Sequence, residues 1–361
     1  MFFAVHSRGD DDVSDWLTFL PWQTSAAQSW LARRERFAHA WLIHGLPGTG
    51  KTHFARAAAA SLLCEQPVQG LACGQCQACQ WVRGGNHPDL RLLRPEAVAL
   101  EEDGATGQEG DTASEAAARK NPSREIRVEQ LRQLQHWFNT ATHRGGWRVA
   151  VLYPADALNL ISANALLKVL EEPPAHTVFL LVADAPDRLL PTLVSRCRRL
   201  PLPAPSAGQA RDWLAQQGVE QADQWLHAWG GAPLKALRAS QNMDAPYPSW
   251  LTAWLDGVLQ AGRQADLSLA DELEKLPSQD WIEHWQRLFI DLQLGGFGQP
   301  ARYYPSLQGR IDELAAQAGP AAVAETLKWL GQQKALGNHP LNAKLYIHHA
   351  LDRLHQACRR A

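Results

Sequence analysis

Residues 45–52 read Gly-Leu-Pro-Gly-Thr-Gly-Lys-Thr, and this stretch decides the fold of the domain around it. It fills every fixed position of the pattern G-x-x-x-x-G-K-[ST]. Residues 40–43, Ala-Trp-Leu-Ile, predict a short buried strand before it, and residues 54–60, Phe-Ala-Arg-Ala-Ala-Ala-Ala, predict a helix after it. A glycine-rich loop between a strand and a helix lets backbone N–H groups surround phosphate oxygens at the positive helix end. The stretch therefore predicts a phosphate-binding loop (P-loop) in an α/β domain.

The P-loop residues have separate expected roles. Lys51 is expected to reach the β- and γ-phosphates of a nucleotide, and Thr52 is expected to ligate Mg²⁺. The remaining predicted nucleotide-binding residues are Gly45, Pro47, Gly48, Thr49 and Gly50. The alternative is a glycine-rich turn that binds no ligand.

The composition is that of an ordinary globular protein. The chain has 361 residues, 45% apolar and 20% charged, with a formal net charge of -2. This balance excludes a chain-wide basic field for nucleic acid but not a local basic face. No apolar run approaches the roughly 18–20 residues that span a bilayer, and the acidic start is unlike a secretory signal. We therefore expect a cytoplasmic protein with no membrane partner.

Four of the six cysteines crowd into one short segment, Cys64, Cys73, Cys76 and Cys79. Two overlapping C-x-x-C steps and a fourth cysteine upstream can place four thiolates around one Zn²⁺. Because all four positions would be filled by protein, such a site would be structural, closing a loop with little apolar content. Buried free thiols are the alternative.

Composition and periodicity divide the chain into several parts. Residues 1–15 predict a loose extension, and residues 16–202 predict a doubly wound parallel sheet with helices, because apolar strand patterns alternate with helical ones. Within this domain, residues 96–124 are rich in glycine, alanine and acids and predict a flexible surface insertion. Two helical domains are predicted after proline-marked linkers, at 206–242 and 248–361.

The P-loop and further motifs before and after it, taken in this order, resemble the AAA+ clamp-loader family of DNA replication. The resemblance extends from about residue 20 to residue 355. It is carried by His39-Ala40, Gly45–Thr52, the cysteine cluster, His87-Pro88-Asp89, Ala163–Pro174 (Ala-Asn-Ala-Leu-Leu-Lys-Val-Leu-Glu-Glu-Pro-Pro), Ser195-Arg196-Cys197 and His339-Pro340-Leu341-Asn342.

The resemblance implies an architecture and a set of partners. The α/β domain and a helical lid (206–242) would form an AAA+ module, and residues 248–361 would join a collar with other subunits. The cysteine cluster would be a zinc-binding module (64–79). The partners would be the tau/gamma and delta subunits, the sliding clamp and, through the assembled complex, primed DNA.

The parts that ATP hydrolysis requires do not match the family pattern. Hydrolysis needs an acid on Mg²⁺, a base that orients water, and positive charge at the transition state. Counting back from Ala163–Lys168, the first two positions hold Tyr153 and Pro154, and Asp156 lies two residues too far along. Loss of a general base alone costs about 10²–10⁴ in rate. We therefore expect ATP or ADP at the P-loop, if any nucleotide binds, without productive hydrolysis.

The two sensor positions depart from the pattern as well. The first sensor position falls on Asp184, whose charge would repel a γ-phosphate. The second falls on Leu234, with Lys235 one step off and expected to point elsewhere.

Arg196, between Ser195 and Cys197, resembles the family's arginine finger, which reaches the γ-phosphate of a neighbouring subunit. A guanidinium suits this role because it stays charged and offers forked donors to phosphate oxygens. The alternative is a surface arginine that caps the preceding helix.

The leading hypothesis is thus a non-hydrolysing clamp-loader subunit. A second is a free-standing AAA+ ATPase that uses unconventional acids such as Asp156. A third, a nucleic-acid-binding zinc finger, has only Arg83, Arg91 and Arg94 near the cysteines, with no interleaved aromatic residues.

Overall fold

A computed structural model of the chain describes residues 16–34, 37–106, 122–138, 142–143, 146–260, 266–336 and 343–358. The predicted extension at 1–15, residues 107–121 of the predicted insertion, and the His339–Asn342 motif lie outside these ranges. The described residues form two compact units, Met1–Pro205 and Ser206–Ala361. The boundary predicted near residues 243–247 inside the second unit stays a prediction.

The first unit is built on a five-stranded parallel sheet. Its strands are β1 (Ala40–His44), β2 (Leu90–Leu93), β3 (Arg148–Leu152), β4 (Thr177–Ala183) and β5 (Arg198–Pro201). They lie in the order β2-β3-β4-β1-β5, every neighbouring pair being parallel. In the central register His44 lies beside Ala183, so the carboxyl ends of β1 and β4 are adjacent at one edge of the sheet.

Helices cover both faces of this sheet. They are α1 (Thr24–Leu31), α2 (Lys51–Leu63), α3 (Gln77–Arg83), α4 (Glu96–Thr106), α5 (Val128–Phe138), α6 (Leu160–Glu171) and α7 (Pro191–Arg196). Side chains of α1, α2 and α3 share one core with the sheet, and side chains of α5, α6 and α7 share another. Two-sided cover explains why β3 and β4 are buried along their whole length.

Alternation along β3 divides its side chains between the two cores. Val149, Val151 and Tyr153 point to the α2 side, and Ala150 and Leu152 point to the α5 side. Tyr153 therefore comes off the end of β3 on the same face as the helix that follows the P-loop.

The predicted insertion at 96–124 is wrong at its start, because Glu96–Thr106 forms a helix. Its acids and alanines favour a helix, and Val98 packs against the α2-side core. Ser123, near the end of the predicted insertion, is hydrogen-bonded to the first turn of this helix. Ala97 N donates to Ser123 O at 3.1 Å, and Ser123 N donates to Glu96 Oε2 at 3.1 Å.

The second unit is helical in all the parts described. Its helices are α8 (Ala207–Gln216), α9 (Ala222–Ala228), α10 (Pro233–Asn242), α11 (Ser249–Leu259), α12 (Asp266–Leu273), α13 (Ser278–Gly296), α14 (Gln308–Gln317), α15 (Pro320–Leu336) and α16 (Ala343–Ala357). Its core is centred on α13, where Trp281 and Trp285 are fully buried beside Trp254 of α11. The predicted fold class, a parallel α/β domain followed by helical parts, is confirmed.

None of the described helices has the length and apolarity that a membrane crossing requires.

Candidate nucleotide and metal sites

The P-loop lies between β1 and α2, as the sequence predicts, and two glycines are required there by geometry. A Cβ on Gly45 would stand 2.5 Å from the carbonyl oxygen of Leu202, a distance that no side chain tolerates. Gly50 precedes α2 with φ of 88°, in the left-handed region that favours glycine. No side chain caps α2, so its first turn presents backbone N–H groups to the loop. The loop thus has the backbone of a phosphate cradle.

Side chains inside the loop converge on one carbonyl. The oxygen of Leu46 accepts hydrogen bonds from Thr49 Oγ1 at 2.9 Å and from Lys51 Nζ at 2.6 Å. Behind the loop, Gln23 Nε2 donates to the carbonyl oxygens of Thr49 and Gly50 at 3.1 and 2.9 Å. The loop is therefore held in shape by side chains both within it and from the segment before α1.

Lys51 also forms an ion pair with Asp184, with 2.6 Å between Nζ and Oδ1. Asp184 follows the last residue of β4, and the adjacent strand ends place it opposite the P-loop. The lysine side chain is 4% exposed and the aspartate side chain 50% exposed. The carboxylate of Asp184 therefore neutralises the buried ammonium of Lys51, the group that the motif assigns to phosphate binding.

His44, at the end of β1, is affected by the charges around the loop. Burial lowers its pKa, and the positive charges of Arg199 and Lys51 lower it further. His44 is therefore expected to be neutral where the P-loop would bind an anion.

Tyr153, at the position where the family pattern has a metal-binding acid, lies in a cluster of charged side chains. Tyr153 Oη donates to Glu102 Oε2 at 2.8 Å, and the same carboxylate oxygen accepts from Arg56 Nη1 at 3.1 Å and from Arg94 Nη1. Glu102 is on α4, inside the stretch predicted to be flexible. Sequence reasoning missed it because an acid in an alanine- and glycine-rich stretch carries no local signal. Asp156 is exposed in a 3-10 turn.

Arg196 is the last residue of α7 and is partly exposed. Its Nη1 donates to the carbonyl oxygen of Thr192 at 3.0 Å, and its Nη2 donates to Glu171 Oε1. The first contact is the helix-capping bond of the alternative interpretation. The second links Arg196 to the first glutamate of the Leu-Glu-Glu-Pro-Pro motif, a link that sequence spacing does not reveal.

The four clustered cysteines come together as predicted. Cys64 directly follows α2 and Cys76 directly precedes α3, and all four Sγ atoms lie within 4.8 Å of one another. Cys64 and Cys76 are 3.8 Å apart and Cys73 and Cys79 are 4.0 Å apart, sulfur to sulfur. Tetrahedral coordination with bonds of about 2.3 Å separates sulfurs by about 3.8 Å. The donor set therefore fits a metal ion.

Backbone donors and burial act on these thiols in opposite directions. Backbone N–H groups of Gln75 and then Cys76 lower the pKa of Cys73 to about 6, so its metal-binding thiolate form is present at neutral pH. Burial raises the pKa of Cys64 and of Cys79. Outside the cluster, burial raises the pKa of Cys197 and of Cys358 to about 12.

In the second unit, Leu234 and Lys235 lie on α10. Lys235 lies close enough to Glu283 of α13 to affect its pKa: burial tends to raise that pKa, and Arg287, Lys334 and Lys235 bring it below its usual value.

Comparison with known proteins identifies relatives of this chain. The sequence profile of the family described as "DNA polymerase III, delta subunit" matches residues 23–206. The DNA polymerase III subunit delta' of Pseudomonas aeruginosa is 33% identical over 338 residues, 91% of this chain and 94% of that protein. The subunit delta' of Escherichia coli K12 is 31% identical over 293 residues, 80% of each. A shorter match, 34% over 179 residues, relates 50% of this chain to 24% of the DNA polymerase III subunit tau of Salmonella typhimurium.

Proposed function

This chain belongs to the family of DNA polymerase III delta' subunits and is a clamp-loader subunit of DNA replication, and we propose that it acts there without hydrolysing ATP. In this role it holds nucleotide at the P-loop, offers Arg196 to the nucleotide of a neighbouring subunit, and carries one structural Zn²⁺. Its partners are the tau/gamma and delta subunits, the sliding clamp and, through the assembled complex, primed DNA in the cytoplasm.

The observation that carries the non-hydrolysing role is the engagement of Tyr153. Tyr153 occupies the chain position at which the family pattern has the acid that holds Mg²⁺, and its phenol donates to Glu102 instead. The next residue, Pro154, has no side-chain base. A phosphate cradle without a metal-holding acid or a base can bind nucleotide but cannot activate water.

The place and chemistry of Arg196 support a role toward a neighbouring subunit. It ends α7 on the surface, with 34% of its side chain exposed. Its present acceptor, the carboxylate of Glu171, resembles phosphate in offering paired anionic oxygens to the guanidinium fork. A neighbour's γ-phosphate could therefore replace Glu171 without a change in the kind of bond that Arg196 makes.

The spacing of the cysteine sulfurs supports zinc as the metal. Backbone N–H groups donate to the sulfurs, among them Cys73 N to Cys64 Sγ at 3.3 Å, Cys76 N to Cys73 Sγ at 3.3 Å, and Cys79 N to Cys76 Sγ at 3.5 Å. Such donors stabilise thiolates, the form in which cysteine binds a metal. A bound Zn²⁺ would tie the end of α2 to the start of α3.

The test of the non-hydrolysing role is an ATPase assay on the purified full chain, beside its Lys51→Ala variant and beside the reconstituted clamp loader. We expect turnover by the chain alone at the level of buffer and unchanged in the variant. Turnover above background that Lys51→Ala abolishes would contradict the proposal and favour the free-standing ATPase.

A nucleic-acid-binding role for the cysteine module has little support, because its nearby arginines are engaged within the chain. Arg83 Nη1 donates to Gly74 O at 3.3 Å, Arg91 Nη1 donates to Pro88 O at 3.2 Å, and Arg94 contacts Glu102 and Tyr153. Direct DNA binding by the full chain with a steep salt dependence would revive that role.

A further inference from the structure

We propose that Asp184 is a specificity-determining residue, which makes the P-loop select nucleoside diphosphates and reject nucleoside triphosphates. The inference rests on the proposed nucleotide binding and adds the class of nucleotide. It comes from the ion pair between Asp184 and Lys51.

The position of the Asp184 carboxylate is the first step. The motif lysine contacts the β- and γ-phosphates when a nucleotide is bound. Here Asp184 Oδ1 stands 2.6 Å from Lys51 Nζ, the distance of a charge-assisted hydrogen bond. It reaches the lysine from the end of β4, at the edge of the sheet that faces the P-loop. The Asp184 carboxylate thus lies beside Lys51 where an oxygen of the terminal phosphate would otherwise bind.

Contacts within the chain leave Lys51 with few N–H donors for a ligand. An ammonium group has three N–H donors. Two oxygens, Leu46 O and Asp184 Oδ1, account for two of them. The third donor, together with the backbone N–H groups at the start of α2, can bind one phosphate group. In a nucleoside diphosphate only the β-phosphate reaches the motif lysine, so one remaining donor is enough.

Charge is the third step. A γ-phosphate would bring further negative charge against the Asp184 carboxylate, and Tyr153 provides no acid to hold a compensating Mg²⁺. Two like charges about 4 Å apart at a protein surface repel by more than the free energy of a tenfold change in affinity. Because Asp184 is half exposed, screening reduces this repulsion without removing it.

The experiment measures binding of ADP and of ATPγS, each with Mg²⁺, to the full chain by isothermal titration calorimetry. The variants are Asp184→Asn, which removes the charge and keeps the shape, and Asp187→Asn, a matched control. Asp187 is an exposed acid in the 3-10 turn that follows β4. Circular dichroism spectra establish that each variant is folded.

We expect the unmodified chain to bind ADP at least about tenfold more tightly than ATPγS. Asp184→Asn should bring the two affinities to within about threefold by strengthening ATPγS binding, and Asp187→Asn should keep the original ratio. Equal affinities in the unmodified chain, or a ratio that Asp184→Asn leaves unchanged, would overturn the inference while nucleotide binding stands. If neither nucleotide binds, the proposed nucleotide binding fails and the inference fails with it.

Discussion

At the scale of single residues, two cations that could face a phosphate are both held by carboxylates of this chain. Lys51 is paired with Asp184 at the P-loop, and Arg196 is paired with Glu171 at the end of α7. The two pairs differ in exposure: the Lys51 side chain is buried, and the Arg196 side chain is one-third exposed. Arg196 is therefore the cation that a second protein can reach.

Replacing Arg196 with alanine is expected to slow ATP hydrolysis by the reconstituted clamp loader and to leave its assembly intact. An arginine finger contributes about 10³–10⁵ to turnover at the one site that it serves. Arg196→Lys keeps the charge without the fork and should restore little of the loss. Steady-state ATPase rates, with assembly checked by size-exclusion chromatography, measure both effects.

Arg188→Ala is the matched control for this experiment, because Arg188 is an exposed arginine in the turn before α7. It should leave turnover unchanged. An Arg196→Ala complex that assembles and hydrolyses ATP at the normal rate would remove Arg196 from the mechanism.

At the scale of elements, the parts predicted well are those whose pattern is local. The apolar run Thr177–Ala183 predicts β4 with its observed bounds, because a strand buried on both faces needs no alternation. The loop at 45–52 is predicted because all the fixed positions of its pattern lie close together in the sequence. The edge strand β2 was not predicted, since it is four residues long, half-exposed and interrupted by Arg91.

What the sequence could not supply are contacts between distant segments. The α4 helix was not predicted, because the composition of 96–124 as a whole is that of a flexible stretch, whereas the contacts of Glu102 join this helix to Arg94 and Tyr153. Asp184 was predicted to oppose a γ-phosphate, but its bond to Lys51 depends on the order of the strands. No motif records such a pairing.

The cysteine cluster between α2 and α3 is expected to determine the metal content of the protein. Purified protein should contain about one Zn²⁺ per chain by elemental analysis, and Cys76→Ser should lose it, since three thiolates and no fourth ligand hold zinc poorly. Without the metal, the loop between α2 and α3 should become sensitive to protease, because it has little apolar content to order it.

The control is Cys358→Ala, which removes a buried thiol of the second unit that lies outside the cluster. It should keep its zinc. Metal-free protein that resists protease at residues 64–79 as well as the zinc-loaded protein does would contradict a structural role for the metal.

At the scale of the whole molecule, the two compact units depend on different stabilising groups. The first depends on a sheet covered on both faces. The second depends on a tryptophan-rich core around α13, in which the buried His284 ring makes T-shaped contacts with Trp229 and Trp250, with ring centroids 5.7 and 5.8 Å away. Trp229 follows α9, so residues of the predicted lid and of the predicted collar share this packing.

His284 makes the stability of the second unit depend on pH. Burial, helped by the charge of Arg287 and opposed by that of Glu283, lowers its pKa to about 3. Its Nδ1 lies 3.0 Å from Tyr304 Oη, which can donate to the neutral ring. Because the folded pKa lies below the unfolded value of about 6.5, the stabilisation is complete above pH 6.5 and is lost as the pH falls toward 3.

The expected loss is up to about 2 kcal/mol of unfolding free energy between pH 7.5 and pH 5. Urea unfolding of the full chain, followed by circular dichroism at several pH values, measures it. His284→Asn keeps an acceptor for Tyr304 but cannot be protonated, so it should lower stability through lost ring packing while flattening the pH dependence. Burial raises the pKa of Asp291, although backbone N–H groups of Tyr303, Tyr304 and Arg302 donate to its carboxylate. Asp291 therefore acts in the opposite direction, and it is common to both proteins. The difference between the two pH profiles therefore isolates His284, and two parallel profiles would show that its ring does not control acid unfolding.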